Sequence, residues 1–254
     1  MTIGVSCTAF SADSPEEWII PIFEEFDHWE IFSEANHSVV HNMDVFRDML
    51  CSYDMSYSIH APIADLNIAA MTPRLREASL KETLDTIRAA SELDVGLVTV
   101  HPGLASMVVK GLESEALELA KAAMKPIEKA SIEYGVTVAM ENMPSVPFFL
   151  GRTASQLADI VDGTDLGICF DIGHANTMGE IDAMIELLGD RFVNIHIHDN
   201  NGDKDAHMTI GDGSIDFVTL LPRLKSYAGN HIIESKTFES AVESQERDPD
   251  PDTT

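Results

Sequence analysis

Side chains that bind divalent metal ions stand at the ends of short apolar runs throughout this chain. His60, His101 and Glu141 follow three successive runs. The later runs are followed by, or contain, Asp171, His174, His196 and Glu234, and a loop adds Asp205 and His207. Carboxylates that converge without a cation repel one another, so a bound ion would resolve the conflict. Mixed imidazole and carboxylate ligands favour zinc, manganese or iron over calcium, and predict a divalent cofactor, zinc or manganese in particular.

The apolar runs predict eight strands, and the amphipathic segments between them predict helices. The predicted strands are Ile3–Phe10, Trp29–Phe32, Met55–Ile59, Gly96–Val100, Val136–Met140, Leu166–Phe170, Phe192–Ile197 and His231–Ile233. Pro73–Leu93 and Leu112–Tyr134 carry apolar residues at three- and four-residue spacing, which is typical of helices. Alternating strands and helices predict an α/β fold, a parallel (β/α)8 TIM barrel, whose strand ends meet on one face. A doubly wound sheet would need a glycine-rich phosphate loop after its first strand, and none is present.

The length and charge of the chain limit its organisation and its partners. Its 254 residues suit one barrel, predicted over residues 1–242, and the acidic, proline-containing residues 243–254 predict a disordered tail. With 16 basic and 43 acidic residues the net charge is −27, which opposes binding to nucleic acid. No signal peptide and no run of about 20 apolar residues is evident, so we expect a cytoplasmic protein that does not bind membranes.

Several short motifs resemble those of one superfamily. They are Ser58-Ile59-His60-Ala61-Pro62, Val100-His101-Pro102-Gly103, Met140-Glu141-Asn142-Met143-Pro144, Phe170-Asp171-Ile172-Gly173-His174, His196-Ile197-His198-Asp199, Asp205-Ala206-His207 and Gly211-Asp212-Gly213. In this order, over about residues 58 to 235, they resemble the xylose isomerase-like barrel superfamily. That superfamily includes sugar and sugar-phosphate isomerases and epimerases, and also the abasic-site endonuclease IV family.

The isomerase and epimerase branch implies one catalytic metal. Resemblance to it assigns the ligands Glu141, Asp171, His196 and Glu234. Glu141 and Glu234 would also act as acid and base on a sugar, sugar phosphate or related polyol, with proton transfer through an enediolate. His174 would orient a substrate hydroxyl.

The endonuclease branch is the alternative, a zinc-dependent phosphodiesterase with three ions. There the same four residues are joined by His60, His101, His174, Asp205 and His207, and all nine positions are filled in this sequence. Two departures count against this branch: Ile63 stands where it tends to carry an aromatic residue, and Ala206 where it usually carries arginine. A metal-stabilised barrel that binds a sugar without catalysis is a further alternative.

Three expectations concern residues around these ligands. Lys204 and Lys236 are candidates for gripping an anionic group of the substrate. The segment from Glu30 to Glu34 is interpreted as a polar wall or a helix cap. The set His174, Asp205 and His207 is expected to bind metal more weakly than the four-residue set, because two of its ligands come from a glycine-containing loop. The oligomeric state is not predicted.

Overall fold

Eight parallel strands close into a barrel in the computed structural model, which describes residues 2–224 and 227–247. The strands follow one another in sequence order, and the first pairs with the eighth. They are β1 Thr2–Ser6, β2 His28–Phe32, β3 Ser56–His60, β4 Leu97–Val100, β5 Thr137–Glu141, β6 Gly167–Asp171, β7 Phe192–Ile197 and β8 Asn230–Glu234. The predicted TIM barrel is confirmed.

Helices cover the outside of the barrel between successive strands. They are α1 Pro15–Glu25, α2 Met43–Leu50, α3 Pro73–Glu92, α4 Glu113–Tyr134, α5 Ala154–Ile160, α6 Ile172–Met178, α7 Ile181–Leu188, α8 Phe217–Leu220 and α9 Phe238–Arg247. The two helices predicted individually, α3 and α4, match within one residue at each end. Pro73 suits the first turn of α3, and Gly135, with φ of 67°, ends α4 in the left-handed conformation.

The first strand is shorter than predicted. β1 ends at Ser6, and Thr8–Ala12 form a 3-10 helix instead of continuing the strand to Phe10. Phe10 is buried because its ring stacks on Trp18 of α1, with the ring centroids 4.2 Å apart. The apolar character of this segment therefore reflects packing against a helix and not pairing within the sheet.

The predicted tail also begins too early. Residues 243–247 belong to α9, so the domain boundary predicted after residue 242 is wrong. Ser244 is buried and accepts a hydrogen bond from the amide of Ile210, while Arg247 lies 2.7 Å from the carboxylate of Asp212. These contacts fix the helix to the loop after β7. Residues 248–254 of the predicted tail lie outside the described residues.

Among the helices within residues 2–224 and 227–247, none is both long enough and apolar enough to cross a lipid bilayer.

Candidate metal centre

The four residues predicted as metal ligands meet at the carboxyl ends of four neighbouring strands. Glu141, Asp171 and Glu234 end β5, β6 and β8, and His196 lies in β7 directly opposite Asp171 in the strand register. Their ligand atoms all lie within 4.8 Å of one another. Nδ1 of His196 is 3.2 Å from a carboxylate oxygen of Glu141 and 3.2 Å from one of Glu234. We call these four residues the central group.

The donor atoms of the central group fit a divalent cation. Three carboxylates and one imidazole lie together there, and converging carboxylates repel one another unless a cation balances their charge. Oδ2 of Asp171 is buried and has no hydrogen-bond partner among the described residues. Buried polar atoms normally have a partner, so this oxygen is free to coordinate an ion. Glu234, with 13% of its side chain exposed, is the most accessible member of the group.

Glu30 holds the imidazole of His196 and is a residue that the sequence interpretation missed. One of its carboxylate oxygens lies 2.7 Å from Nε2 of His196. The other accepts hydrogen bonds from Ser58 and Asn194, each at 2.7 Å. A carboxylate behind a ligand histidine fixes the ring orientation, so Nδ1 is directed at the central group. Burial raises the pKa of Glu30, but the His196 imidazole outweighs it and lowers the pKa to about 2.

The helix-cap interpretation of Glu30 to Glu34 is wrong, and the polar side chain that this segment places against the site is Glu30. Glu30 is fully buried inside the barrel. Glu34 precedes the 3-10 helix Ala35–His37 but makes no side-chain capping hydrogen bond. Its carboxylate instead accepts hydrogen bonds from the backbone amides of Ile63 and Ala64, and so anchors the loop after β3. An acidic residue between Trp29 and Ile31 in an apolar strand was the available signal for a buried charge.

His60 and His101 approach Glu141 from the opposite side. Nε2 of His60 is 3.1 Å and Nε2 of His101 is 2.8 Å from the same oxygen, Oε2, of Glu141. The Oε1 atom of Glu141 faces His196. His60 directs Nδ1 at the carbonyl oxygen of Ala61, at 2.9 Å, which leaves Nε2 for Glu141. We call His60, His101 and Glu141 the flanking group; its atoms can hold a metal or can position Glu141 by hydrogen bonds.

The remaining predicted residues form a third cluster, which includes one histidine that was not assigned. Oδ2 of Asp205 lies 3.3 Å from Nε2 of His174 and 3.2 Å from Nε2 of His207. His198, which directly follows β7, joins them with ligand atoms within 4.8 Å of the rest. The sequence spacing could have indicated His198, because His196 and His198 are two residues apart and alternate residues of a strand share a face. We call His174, His198, Asp205 and His207 the loop group.

Asp199 shapes the loop that carries Asp205 and His207. Its carboxylate accepts hydrogen bonds from the amides of Gly211, Gly213 and Ile215, at 3.0, 2.9 and 3.2 Å. A Cβ atom at Gly213 would lie 2.3 Å from this carboxylate, so only glycine fits there. His207 has a φ of 43°, a left-handed conformation that is strained for this residue type and is held by the surrounding loop.

The pKa shifts show how these groups balance charge. Burial raises the pKa of Glu141, but the imidazoles of His101 and His196 outweigh it, so this pKa lies well below its usual range. Burial lowers the pKa of His174, but Asp171 and Asp205 raise it well above the ordinary value. The pKa of Asp205 is strongly lowered: burial raises it, and the hydrogen bonds from His174 and His207 overcome that effect. The pKa of His196 is also raised, whereas burial lowers the pKa of His101, so His174 and His196 are the imidazoles whose positive charge is favoured beside the carboxylates. A bound cation would take over this balancing of charge.

Near the ligands, a mainly apolar cavity of about 240 Å³ opens beside His101. Its walls include Ile63, Leu66, Leu104 and Phe149. Lys204 and Lys236 are exposed, and neither makes a hydrogen bond or an ion pair within the described part of the chain. Their predicted role in gripping an anion stays a prediction.

Comparison with known proteins identifies the family. The model of a family described as the xylose isomerase-like TIM barrel matches residues 24–250. The chain belongs to this family. The resemblance found in the sequence motifs is thereby confirmed. Within the xylose isomerase-like TIM barrel family, the chain is 37% identical to the uncharacterized protein MJ1311 of Methanocaldococcus jannaschii, over 97% of this chain and 87% of that protein.

Two further similarities correspond to the two branches. A solved structure described as a D-tagatose 3-epimerase-like protein is 36% identical, with a TM-score of 0.90 over 97% of this chain and 95% of that one. A probable endonuclease 4 of Aquifex aeolicus is 27% identical over 84% of this chain and 76% of that protein. Membership of the family therefore establishes the fold but does not distinguish an epimerase reaction from an endonuclease reaction.

Proposed function

We propose that the protein is a divalent-metal-dependent isomerase or epimerase of a sugar, sugar phosphate or related polyol. The observation that carries the proposal is the placement of Glu141 and Glu234 at one centre, each with a carboxylate oxygen 3.2 Å from Nδ1 of His196. When bound there, a divalent ion would supply Lewis-acid polarisation of substrate oxygens and lower the cost of removing a proton from the neighbouring carbon.

The two carboxylates can move that proton. One takes it from the carbon beside the substrate carbonyl, and the other returns a proton to the opposite face of the same carbon, which gives an epimer. Return of the proton to the former carbonyl carbon, with transfer of the hydroxyl proton from one substrate oxygen to the other, gives an isomer. Glu234 is partly exposed and accessible to a substrate, whereas Glu141 is buried and held by the hydrogen bonds of the flanking group. The role of His174 in orienting a substrate hydroxyl stays a prediction, since its Nδ1 lies 2.9 Å from the carbonyl oxygen of Asn142 and its Nε2 lies 3.3 Å from Asp205.

The similarity to the D-tagatose 3-epimerase-like protein supports this reading, because it extends over nearly the whole chain at 36% identity. The net charge of −27 supports a small carbohydrate over a polyanion as the partner. A cytoplasmic location stays a prediction from the sequence.

A zinc phosphodiesterase of the endonuclease IV type is the second candidate. The observation in its favour is that all nine residues implied by that branch gather into three clusters at one barrel mouth. Against it, Ile63 lines an apolar cavity where an aromatic side chain would face DNA, and Ala206 is buried and offers no cation.

One experiment separates these candidates. The protein is supplied with zinc or manganese and incubated in D2O with ketopentoses, ketohexoses and their phosphates, and in parallel with an abasic oligonucleotide. We expect solvent deuterium at a carbon next to the carbonyl of at least one sugar, detected by NMR, and no cleavage of the oligonucleotide. Cleavage without exchange would establish the phosphodiesterase. Metal-dependent binding of a sugar with neither reaction would indicate the non-catalytic barrel.

A further inference from the structure

We infer that His28 is a positioning residue for the central group, because it orders the hydrogen bonds that hold Glu30 against the ring of His196. His28 is the first residue of β2, whereas the metal ligands lie at or near the carboxyl ends of their strands. The inference deepens the proposed function, since it rests on the central group as a metal centre, but it holds for either reaction. It concerns how a ligand ring is kept in place and adds no ligand.

An unbroken series of hydrogen bonds connects His28 with His196 inside the barrel. Nε2 of His28 lies 2.8 Å from Oγ of Ser58, and Ser58 donates to Oε2 of Glu30 at 2.7 Å. Oε1 of Glu30 lies 2.7 Å from Nε2 of His196. All four side chains are buried. The interior of such a barrel is ordinarily filled with branched apolar side chains, so a polar series through it indicates a role beyond packing.

The chemistry of the side chains fixes the direction of each hydrogen bond in this series. Ionised Glu30 can only accept, so the single hydroxyl proton of Ser58 points to it. Ser58 must then accept from His28, which therefore carries its proton on Nε2. Nδ1 of His28 is left to accept, and the side-chain nitrogen of Asn230 and the hydroxyl of Ser56 lie 3.0 and 2.7 Å from it. With the proton on Nδ1 instead, His28 would compete with Glu30 for the proton of Ser58.

The fold accommodates the ring of His28 as a neutral group. Gly4 of β1 lies opposite His28 in the strand register, and a Cβ atom there would lie 2.7 Å from Cδ2 of the ring. Any larger residue at this position would therefore push the ring out of place. Burial lowers the pKa of His28 to about 4, although the charge of Glu30 opposes the shift. The ring thus carries one proton at neutral pH, as the direction of the series requires.

The ordered series keeps one oxygen of Glu30 for the metal ligand. Ser58 and Asn194 both donate to Oε2, which leaves Oε1 facing His196. Successive hydrogen bonds polarise one another, so the donor of His28 strengthens the bond that Ser58 gives to Glu30. Without His28, Glu30 should hold the ring of His196 less firmly, and Nδ1 should be directed less well at a bound ion.

The test measures the Mn2+ affinity of His28→Leu and His28→Gln. Manganese prefers carboxylate ligands, so less than one equivalent is added to metal-free protein to reach the central group, and free Mn2+ is measured by EPR. His28→Leu should weaken binding by about tenfold, the low end of the cost of losing a direct partner of a ligand. His28→Gln keeps an amide donor toward Ser58 and should bind within about threefold of the parent. His37→Leu, which replaces a buried histidine outside the series, should bind as the parent does.

Repeating His28→Leu in a Ser58→Ala background separates positioning from packing. Because His28 acts through Ser58, the second substitution should cost less than about threefold in that background. An equal loss of affinity in both backgrounds would overturn the inference, because the ring would then act by packing alone. Parent affinity in the single variant His28→Leu would also overturn it.

A measurement on the parent chain does not depend on any variant. Nitrogen-15 NMR of the metal-free protein at neutral pH should show His28 as the neutral tautomer with its proton on Nε2. A proton on Nδ1 would contradict the inference. A chain that shows this tautomer and these affinities but exchanges no sugar proton would retain the inference and lose the proposed function.

Discussion

The central group and the loop group lie side by side at one barrel mouth, yet they are built in different ways. The central group takes each of its ligands from a strand of the barrel and contains three carboxylates. The loop group takes its ligands from a helix, a strand end and a loop, and contains three imidazoles. Ligand origin and ligand type therefore vary together: the strand ends supply three carboxylates, whereas the imidazoles of the loop group lie on a helix, after a strand and in a loop.

The largest expected effect is the loss of turnover when a carboxylate of the central group is neutralised. Glu234→Gln should reduce proton exchange by about 10³-fold, because it removes one of the two groups that move the proton. Glu141→Gln should do the same and should also disturb the flanking group, which shares this residue. Deuterium incorporation measured by NMR checks both.

The matched control for these variants is Glu133→Gln, an exposed glutamate on α4. It should exchange protons at the parent rate. Parent-like activity in Glu234→Gln would remove the proposed acid and base pair and leave the central group as a binding site only.

Neutralising the carboxylate of the loop group should reduce turnover less than Glu234→Gln does, and it should make the loop after β7 more susceptible to proteolysis. Asp205→Asn weakens the ligand that contacts His174, His198 and His207. We expect turnover to fall by about tenfold, and limited proteolysis to cut within residues 200–215 of the variant before it cuts the parent. Asp203→Asn, an exposed neighbour, is the control. A loss of turnover as large as that of Glu234→Gln would mean that the loop group is catalytic.

Glu30→Gln should affect only one of the two groups. The variant keeps the shape of the side chain but removes the charge that lies 2.7 Å from Nε2 of His196. Metal affinity of the central group should fall by about 10–100-fold, while the metal affinity of the loop group should not change. Chelator competition followed site by site measures this. Equal losses from both groups would show that the groups are not independent.

Histidines outside both groups provide a reference for acid stability. Burial lowers the pKa of His37 to about 4, although Asp13 and Glu16 oppose the shift. Because the folded pKa lies below the unfolded value, the unfolded chain binds more protons between about pH 6.5 and pH 4, and stability falls as the pH drops through this window. His37→Leu should remove up to about 3 kcal/mol of this dependence. Urea unfolding at pH 7 and pH 4.5 measures it, and identical pH dependence in parent and variant would contradict it.

The convergence of the strand-end side chains was predictable because barrel topology brings strand ends together, while the grouping of Glu141, Asp171, His196 and Glu234 as one set came from the resemblance to the family. An apolar run followed by Glu141 or Asp171 is visible in the sequence, and the closed parallel sheet then determines that these residues meet. His198 and Glu30 were missed for a different reason. Their roles depend on which ring nitrogen faces which carboxylate, and this is decided by cross-barrel contacts such as that of Glu30 with Asn194, residues distant in the sequence.

The ends of the chain were predicted less well, for a related reason. Phe10 is buried against helix α1 and not within the sheet. Residues 243–247 belong to a helix whose Ser244 and Arg247 contact the loop after β7. Local composition does not show either contact. Segments whose structure depends on tertiary partners are those at which a reading of local pattern fails.

Anomalous scattering from crystals grown at limiting zinc or manganese tests the proposed catalytic centre most directly. We expect a fully occupied ion on Glu141, Asp171, His196 and Glu234, and an ion on His174, Asp205 and His207 only in excess metal. A fully occupied ion on His174, Asp205 and His207 beside an empty central group would contradict the proposal.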